Sequence, residues 1–319
     1  MTARAPGLDE VDRFLTRLHG RSVESLELLH GGFWSAAFAY RLGGRELVVR
    51  FGEIREGFEM DRMAMAFARP GLPVPAVLDV GDAFGGAYAI SVRHHGRFLE
   101  DVGPEEAAVA GPAIGRTLSA LRAVPVEADA PSQWYPAEPR PEESTWRQWL
   151  TDGLVDDPHR RVTGWRKALA ADAELDRLFG ACEARIGELL DACPERRDLV
   201  HGDLLNRNVL VAEDASCVTA VFSWKCSVRG DFLFDVAWCT FWGAWHPGIA
   251  AVDVWKRTLA APDLTREALQ DAAPRHHCYQ LQIGASHLGW HAWTGDHDAL
   301  RSVATRTHDL LDLGWDNSP

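Results

Sequence analysis

Apolar and polar residues show two different periodicities along the first hundred positions. Five short runs have the alternation or the apolar continuity of β-strands, and they are residues 23–30, 36–42, 45–51, 74–81 and 87–94. Two other runs recur at helical spacing, and they are residues 11–18 and 55–68. Gly43 and Gly44 separate the second strand from the third, as in a two-residue hairpin. This order predicts an antiparallel sheet of five strands with one inserted helix.

From about Gly96 the pattern becomes mainly helical. One helix is predicted over residues 104–124, interrupted at Gly111 and Pro112, and a longer amphipathic helix over residues 172–193. Four prolines lie within residues 130–143, which are therefore expected to form a loop. Two short strands are expected at 209–211 and 218–222, followed by helices. We predict an α+β fold of two lobes, a sheet lobe over residues 1–95 and a larger helical lobe over residues 96–319.

The charge divides unevenly between these two parts. Residues 1–97 carry 12 basic and 12 acidic residues, whereas residues 98–319 carry 21 basic and 34 acidic residues. The whole net charge of −13 therefore lies in the second part. Such a surface repels nucleic acid and attracts cationic small molecules. Acidity also serves solubility alone, and the charge does not separate these two explanations.

Neither a leader nor a membrane span is expected from the apolar content. The opening residues lack the apolar core of a signal peptide, and the richest apolar stretch, residues 236–245, is shorter than the ~18 residues of a transmembrane helix. The six cysteines form no CxxC pair and are expected to be reduced and buried, without a zinc site or disulfides. We predict a cytoplasmic monomer without membrane or nucleic-acid partners.

One polar segment, HGDLLNRN, lies between the amphipathic helix and the last two strands and carries the candidate chemistry. Phosphoryl transfer needs a carboxylate that accepts the hydroxyl proton, oxygen ligands for Mg²⁺ and a cation on the nucleotide phosphates. Asp203 is expected to orient and deprotonate the acceptor hydroxyl, and Asn208 to offer its amide oxygen to Mg²⁺. His201 is expected to shape the loop. An HGD sequence followed by asparagine also occurs by chance in polar loops. Its position between a helix and a pair of strands favours the catalytic interpretation.

This motif and the order of the elements resemble the aminoglycoside phosphotransferase family, small-molecule kinases with a protein-kinase-like fold. Similarity to its hygromycin B branch runs almost end to end, through residues 55–82, 199–210, 218–242 and 276–300. The resemblance implies a kinase that uses ATP or GTP with Mg²⁺ to phosphorylate a cationic antibiotic, above all hygromycin B. Another aminoglycoside, a macrolide, choline or an amino alcohol as acceptor stays open, as does a binding protein without turnover.

The resemblance also implies nucleotide-binding residues in the sheet lobe, and they are Gly32, Ser35, Arg50, Asp61, Ser91 and Arg93. The hairpin at residues 31–35 would cover the phosphates, although an ordinary turn explains the same letters. Arg50 takes the place of the family's phosphate-holding lysine and Asp61 that of its glutamate partner. A surface ion pair is the alternative for these two residues. Residues 91–93 fall where the connection between the lobes would bind the purine through its backbone.

Three tryptophans are implied on the acceptor side. Trp242 and Trp245 match aromatic positions that line the acceptor pocket, where indole rings stack on the apolar faces of sugars. Trp290 lies close to a pocket tyrosine of the relatives. The chain has 13 tryptophans, so core packing is the alternative for each of them. Asp235 matches an aspartate that braces the catalytic loop, which is a structural role.

The resemblance breaks at position 223. The family's strand ends in an aspartate that binds Mg²⁺ and a tryptophan, whereas here Ser223 precedes Trp224. A neutral hydroxyl binds Mg²⁺ weakly, and the lost charge neutralisation costs roughly 10²–10⁴ in rate. Asp214 and Asp231 are poor substitutes in sequence position. The serine is an engineered substitution, a natural change in a weakly active or purely binding homologue, or compatible with a shifted metal; the intact remainder of the motif favours the first.

Overall fold

The computed structural model describes residues 6–29, 34–125 and 145–314, and every structural statement below concerns these residues. Residues 31–33 of the predicted hairpin at 31–35 and the predicted loop at residues 130–143 lie outside them. Ten strands are described: β1 Glu24–Leu28, β2 Ser35–Leu42, β3 Arg45–Gly52, β4 Val77–Ala83, β5 Gly86–Val92, β6 Arg97–Phe98, β7 Asp198–Val200, β8 Val209–Val211, β9 Val218–Val221 and β10 Val228–Gly230.

Eleven α-helices are described: α1 Leu8–His19, α2 Arg55–Ala64, α3 Ala107–Arg122, α4 Trp146–Asp152, α5 Trp165–Leu169, α6 Ala173–Leu189, α7 Leu233–Trp242, α8 Pro247–Val252, α9 Val254–Leu259, α10 Ala272–Thr294 and α11 His297–Leu313. The chain forms two compact units. Unit 1 comprises residues 1–100 and 203–226, and unit 2 comprises residues 101–202 and 227–319. The five-stranded sheet and the segment Asp203–Cys226 therefore belong to the same unit. No described helix is long and apolar enough to cross a membrane.

Unit 1 contains the antiparallel five-stranded sheet that the sequence predicts, in the order β1-β2-β3-β5-β4. The β2–β3 hairpin pairs Ser35 with Gly52 at its open end and Leu42 with Arg45 next to its loop. Gly43 and Gly44 have φ values of 57° and 81°, which a two-residue hairpin of this kind requires at both positions. A second, smaller sheet joins β6, β8 and β9.

A helix covers each face of the five-stranded sheet. Residues of α1 pack on one face with large side chains of β2, β3 and β5, and this core comprises Val11, Leu15, Phe38, Tyr40, Leu47, Val49, Phe51, Tyr88 and Ile90. On the other face, Phe58 of α2 packs with residues of β4 and β5. Because side chains alternate along a strand, Arg50 points to the face of α2. Its partners on the neighbouring strands are Ala37 and Ala89, which leave room for the guanidinium.

Unit 2 is built around α10, which is buried over most of its length and packs against α5, α6, α7 and α11. A two-stranded ladder of β7 and β10 pairs Leu199 with Arg229. Gly230 of this ladder lies so close to the Trp146 ring that an added Cβ would approach it to 2.3 Å. The helical content of this unit agrees with the predicted α+β fold.

The predicted interruption at Gly111 and Pro112 is wrong, because α3 runs continuously through both residues. Proline removes one N–H from the helix, and the carbonyl of Ala108 loses that donor. Pro112 and Ala108 are both exposed, so water can satisfy that carbonyl. Gly111 instead allows Arg257 to approach, since a Cβ there would lie 2.5 Å from the guanidinium.

The expectation of six buried cysteines also needs correction. All six are free thiols, but Cys217 and Cys226 are exposed and the other four are buried. Both exposed residues lie at turns, Cys217 just before β9 and Cys226 in a short 3₁₀ turn that follows Ser223. Exposure within a turn depends on the direction of each side chain, since Trp224 of the same 3₁₀ turn is fully buried, and the apolar surroundings in the sequence did not indicate that direction.

Candidate active site

The entry to the HGD loop is fixed by a buried carboxylate. Asp235, in the first turn of α7, is 2% exposed and accepts hydrogen bonds at 2.8 Å from the backbone N–H groups of both His201 and Gly202. Burial raises the pKa of Asp235 to about 7, while the two backbone donors oppose the rise. This arrangement sets the backbone conformation just before Asp203, in agreement with the bracing role expected for Asp235.

The carboxylate of Asp203 is held by two amides. The Nδ2 of Asn206 donates to Oδ1 at 2.7 Å, and the Nδ2 of Asn208 donates to Oδ2 at 2.8 Å. Burial raises the pKa of Asp203 to about 7 and Glu100 adds to the rise, while both amides and the charge on Lys225 oppose it. A carboxylate with a fixed orientation and a pKa near neutrality suits a general base.

The loop backbone between these residues is unusual. Asn206 and Arg207 have φ values of 65° and 63°, in the left-handed region that residues other than Gly, Asn and Asp rarely adopt. The N–H of Arg207 donates to the Glu100 carboxylate, and its guanidinium lies 4.5 Å from the centroid of the Phe98 ring. Contacts to the β6 region therefore compensate for a backbone conformation that costs about 1–3 kcal/mol. The sequence motif identified Asp203 and Asn208, but it did not identify Asn206 as a carboxylate partner.

Position 223 lies at the same end of the β8–β9 pair as Asn208. The N–H of Phe222 donates to the Asn208 carbonyl at 3.0 Å, which brings the two segments together. Ser223 has a φ of 69°, a left-handed conformation that Asp and Asn adopt more readily than Ser. The backbone at this position therefore suits an aspartate better than the residue that is present.

Asp61 connects the predicted phosphate-binding arginine to this turn. Its Oδ2 accepts a hydrogen bond from Arg50 Nη2 at 2.5 Å, and its Oδ1 accepts one from the N–H of Trp224 at 2.8 Å. Asp61 is 4% exposed and Trp224 is fully buried. The guanidinium of Arg50 also lies 5.2 Å from the Phe58 ring centroid. The family resemblance implied the bond between Arg50 and Asp61, but nothing in the sequence indicates the bond between Asp61 and Trp224, because these two residues lie 163 positions apart.

The residues present do not fit a magnesium site of the usual kind. The Nδ2 of Asn208 donates to the backbone carbonyls of Asp203 and Leu205 as well as to the Asp203 carboxylate, which leaves its amide oxygen as the atom that could bind a cation. Ser223 adds only a neutral hydroxyl. Within the described ranges no cluster of three or more His, Cys, Asp or Glu could hold a metal ion. Mg²⁺ in phosphoryl-transfer sites usually binds one or two carboxylates besides the phosphates, so this set lacks one.

The two carboxylates weighed as substitutes for position 223, Asp214 and Asp231, have other partners. Asp214 lies in the turn between β8 and β9 and accepts a hydrogen bond from the Ser216 N–H at 3.0 Å. Asp231 is fully buried in unit 2, where it pairs with Arg275 and accepts a hydrogen bond from Tyr279. Neither residue replaces the carboxylate missing at position 223.

The remaining predicted nucleotide-binding residues lie at different places in unit 1. Ser35 begins β2, and Gly32 lies outside the described residues. Ser91 is buried within β5. Arg93 donates its N–H to the Glu46 carbonyl at 3.0 Å and its guanidinium to Glu27 at 2.8 Å. The roles of Ser35, Ser91 and Arg93 stay predictions.

In unit 2 the structure brings together two of the three predicted acceptor-side tryptophans. The ring centroids of Trp242 and Trp245 lie 5.1 Å apart, and the Trp242 ring meets His287 edge-on at 4.9 Å. Burial lowers the pKa of His287 to about 4, so the imidazole is neutral. Trp290 follows three residues later on α10 and lies 5.2 Å from Trp293. The acceptor-binding role of these rings stays a prediction.

The sheet, the inserted helix and the braced HGD loop define the kinase-like fold of small-molecule phosphotransferases. The chain belongs to the phosphotransferase enzyme family, which it matches over residues 25–269. It is 30% identical over 285 residues to the hygromycin-B 4-O-kinase of Escherichia coli, covering 87% of this chain and 77% of that one.

Solved structures give the same result. A thermostable mutant of aminoglycoside phosphotransferase APH(4)-Ia, crystallised with AMP-PNP and hygromycin B, is 27% identical, has a TM-score of 0.80 and covers 95% of this chain and 98% of its own. A macrolide 2'-phosphotransferase type I is 18% identical with a TM-score of 0.58 over 95% of this chain and 98% of its own, and it shares the fold. The chain is therefore a phosphotransferase that acts on a hydroxyl group.

Proposed function

We propose that this enzyme transfers the terminal phosphoryl group of ATP or GTP to a hydroxyl of hygromycin B and thereby confers resistance in the cytoplasm. The observation that carries the proposal is the Asp203 carboxylate, held by Asn206 and Asn208 with a pKa near neutrality. The Escherichia coli relative named for hygromycin B and the APH(4)-Ia complex with AMP-PNP and hygromycin B support the acceptor and the nucleotide.

In the proposed reaction Asp203 accepts a hydrogen bond from the acceptor hydroxyl. The hydroxyl oxygen bonds to the terminal phosphorus as the bond to the leaving nucleoside diphosphate breaks, and the hydroxyl proton passes to Asp203. Arg50 holds phosphate oxygens through its guanidinium donors, and Asp61 fixes the orientation of that guanidinium. Positioning and charge neutralisation supply most of the catalysis in such reactions.

On the acceptor side, we propose that Trp242 and Trp245 stack against the sugar rings of the antibiotic. The residues from 98 onward carry 34 acidic against 21 basic residues, and this charge favours a cationic acceptor over a neutral or anionic one. The charge separates hygromycin B poorly from other cationic acceptors, so a kinase of another aminoglycoside is the second candidate.

Ser223 is proposed to reduce turnover, because it leaves the site one carboxylate short for Mg²⁺. Restoring the carboxylate with Ser223→Asp is expected to raise turnover on hygromycin B by about two orders of magnitude. The left-handed backbone at this position accommodates Asp, so the substitution should not destabilise the fold.

A nucleotide-coupled turnover assay on hygromycin B tests the proposal with the chain, Ser223→Asp and the double variant that adds Asp203→Asn. Turnover by Ser223→Asp that disappears with Asp203→Asn is the expected result. If Ser223→Asp shows no turnover, hygromycin B is the wrong acceptor. A thermal-shift panel of aminoglycosides, macrolides and choline then identifies the acceptor, because a ligand that binds only the folded protein raises its stability.

A further inference from the structure

A lysine lies two residues after Ser223, in the short 3₁₀ turn Trp224–Cys226 that packs against α2. Lys225 is partly buried, and its Nζ lies 4.3 Å from the centroid of the Trp34 ring. Trp34 immediately precedes β2, at the open end of the β2–β3 hairpin. A Cβ at Gly52 would lie 2.7 Å from the Trp34 carbonyl oxygen, so Trp34 packs closely against β3 there. The ammonium of this turn, which follows Ser223, therefore lies against the open end of the hairpin.

The charge of Lys225 reaches the proposed general base. It lowers the pKa of Asp203 against the effect of burial. The same turn is anchored to the predicted phosphate-binding arginine, because the Trp224 N–H donates to the Asp61 carboxylate that pairs with Arg50. The Asp61 carboxylate thus links Arg50 of β3 to the turn that carries Lys225, so two cations from distant parts of the chain belong to one hydrogen-bonded assembly.

We propose that Lys225 binds the terminal phosphate of the nucleotide and supplies positive charge to a site that lacks a metal-binding carboxylate at position 223. The proposal rests on the proposed kinase function. An ammonium group offers three donors to phosphate oxygens from a flexible stem, and a nucleoside triphosphate carries more charge than Arg50 alone neutralises. A hydroxyl instead of a carboxylate at position 223 makes the site less negative. Lys225 changes the charge of the site in the same direction.

Nucleotide affinity tests the proposal without turnover, by titrating AMP-PNP and ADP in EDTA and again in Mg²⁺. Lys225→Gln is expected to weaken AMP-PNP binding about tenfold or more in EDTA and ADP binding less than threefold, because only AMP-PNP has the terminal phosphate. Lys225→Arg should keep affinity within about threefold, which shows that charge rather than folding is measured. Lys256→Gln, an exposed site on α9, is the matched control and should change neither.

Lysine acylation gives a second readout, because the chain has only three lysines, Lys167, Lys225 and Lys256. AMP-PNP is expected to slow acylation of Lys225 at least fivefold and ADP much less, with Lys167 and Lys256 unaffected. Equal loss of AMP-PNP and ADP affinity in Lys225→Gln, or equal acylation with and without AMP-PNP, would overturn the Lys225 proposal alone. If the unaltered protein binds neither nucleotide, the kinase function itself fails.

Discussion

Asp61→Asn is the substitution whose effect follows most directly from the geometry. The asparagine keeps one oxygen to accept the hydrogen bond from the Trp224 N–H but loses the charge that pairs with Arg50. The Asp61 side chain is 5% exposed and that of Arg50 is 17% exposed, so the guanidinium would be left largely buried without its anion.

Removing one partner of a buried ion pair costs about 3–5 kcal/mol. Because Arg50 keeps some access to water and contacts the Phe58 ring, we expect the lower end, about 3 kcal/mol of the free energy of unfolding. The predicted phosphate-binding orientation of Arg50 should be lost as well, with AMP-PNP affinity falling about tenfold or more.

Urea unfolding followed by tryptophan fluorescence measures the first effect. The matched control is Asp82→Asn, because Asp82 pairs with Arg55 in the same unit at 2.6 Å but its side chain is 81% exposed. Exposed pairs contribute about 0–1 kcal/mol, so the control should unfold almost like the unaltered protein. A loss below 1 kcal/mol in Asp61→Asn, or an equal loss in the control, would refute the reasoning.

Two further predictions concern unit 2. Burial lowers the pKa of His276 to about 3, so below pH 6.5 the unfolded chain binds a proton that the folded protein does not, and stability falls as the pH drops. His276→Phe keeps the stacking on Trp255 and removes this titration. Between pH 6 and 4.5 its free energy of unfolding should therefore fall less steeply than that of the unaltered protein, by ~1.4 kcal/mol per pH unit. If urea unfolding gives the same pH dependence for both proteins, the prediction is wrong. Trp242→Ala should weaken hygromycin B binding about tenfold or more by calorimetry, with AMP-PNP affinity unchanged, because its stacking surface is lost; a loss of AMP-PNP affinity instead would show general damage.

The strands and helices of unit 1 were predictable because their patterns are local. Residues 36–42 and 45–51 largely alternate between larger apolar side chains and small or polar ones. The two glycines between them are typical of a two-residue hairpin turn. By contrast β6, β7 and β10 have two or three residues each and include charged residues, whereas the equally short β8 is entirely apolar, so only their partners make β6, β7 and β10 strands. Pro112 is a residue at which the local sequence predicts a break in the helix and none occurs. Its exposed position makes the lost hydrogen bond tolerable.

The same distinction applies to the candidate site. Asp203 and Asn208 are separated by four residues on one loop, so their spacing alone suggests shared chemistry. The bond from Trp224 to Asp61 and the place of Lys225 beside Trp34 depend on packing between segments that are far apart in sequence. The sequence of the turn after Ser223 predicts no particular conformation. That conformation depends on Asp61 in α2 and Trp34 just before β2.

The division of the chain also has a consequence for how the protein is made. Unit 1 consists of residues 1–100 and 203–226, so the polypeptide leaves it and returns a hundred residues later. The returning segment completes unit 1 through bonds such as that from the Val221 N–H to the Pro73 carbonyl at 2.8 Å. During synthesis the five-stranded sheet can form early, but β6 cannot pair with β8 until the first segment of unit 2, residues 101–202, has been translated. A gene fragment that ends near residue 100 would therefore yield the sheet without Asp203, Asn208 or Lys225, and the nucleotide-binding half could not be expressed as one continuous piece.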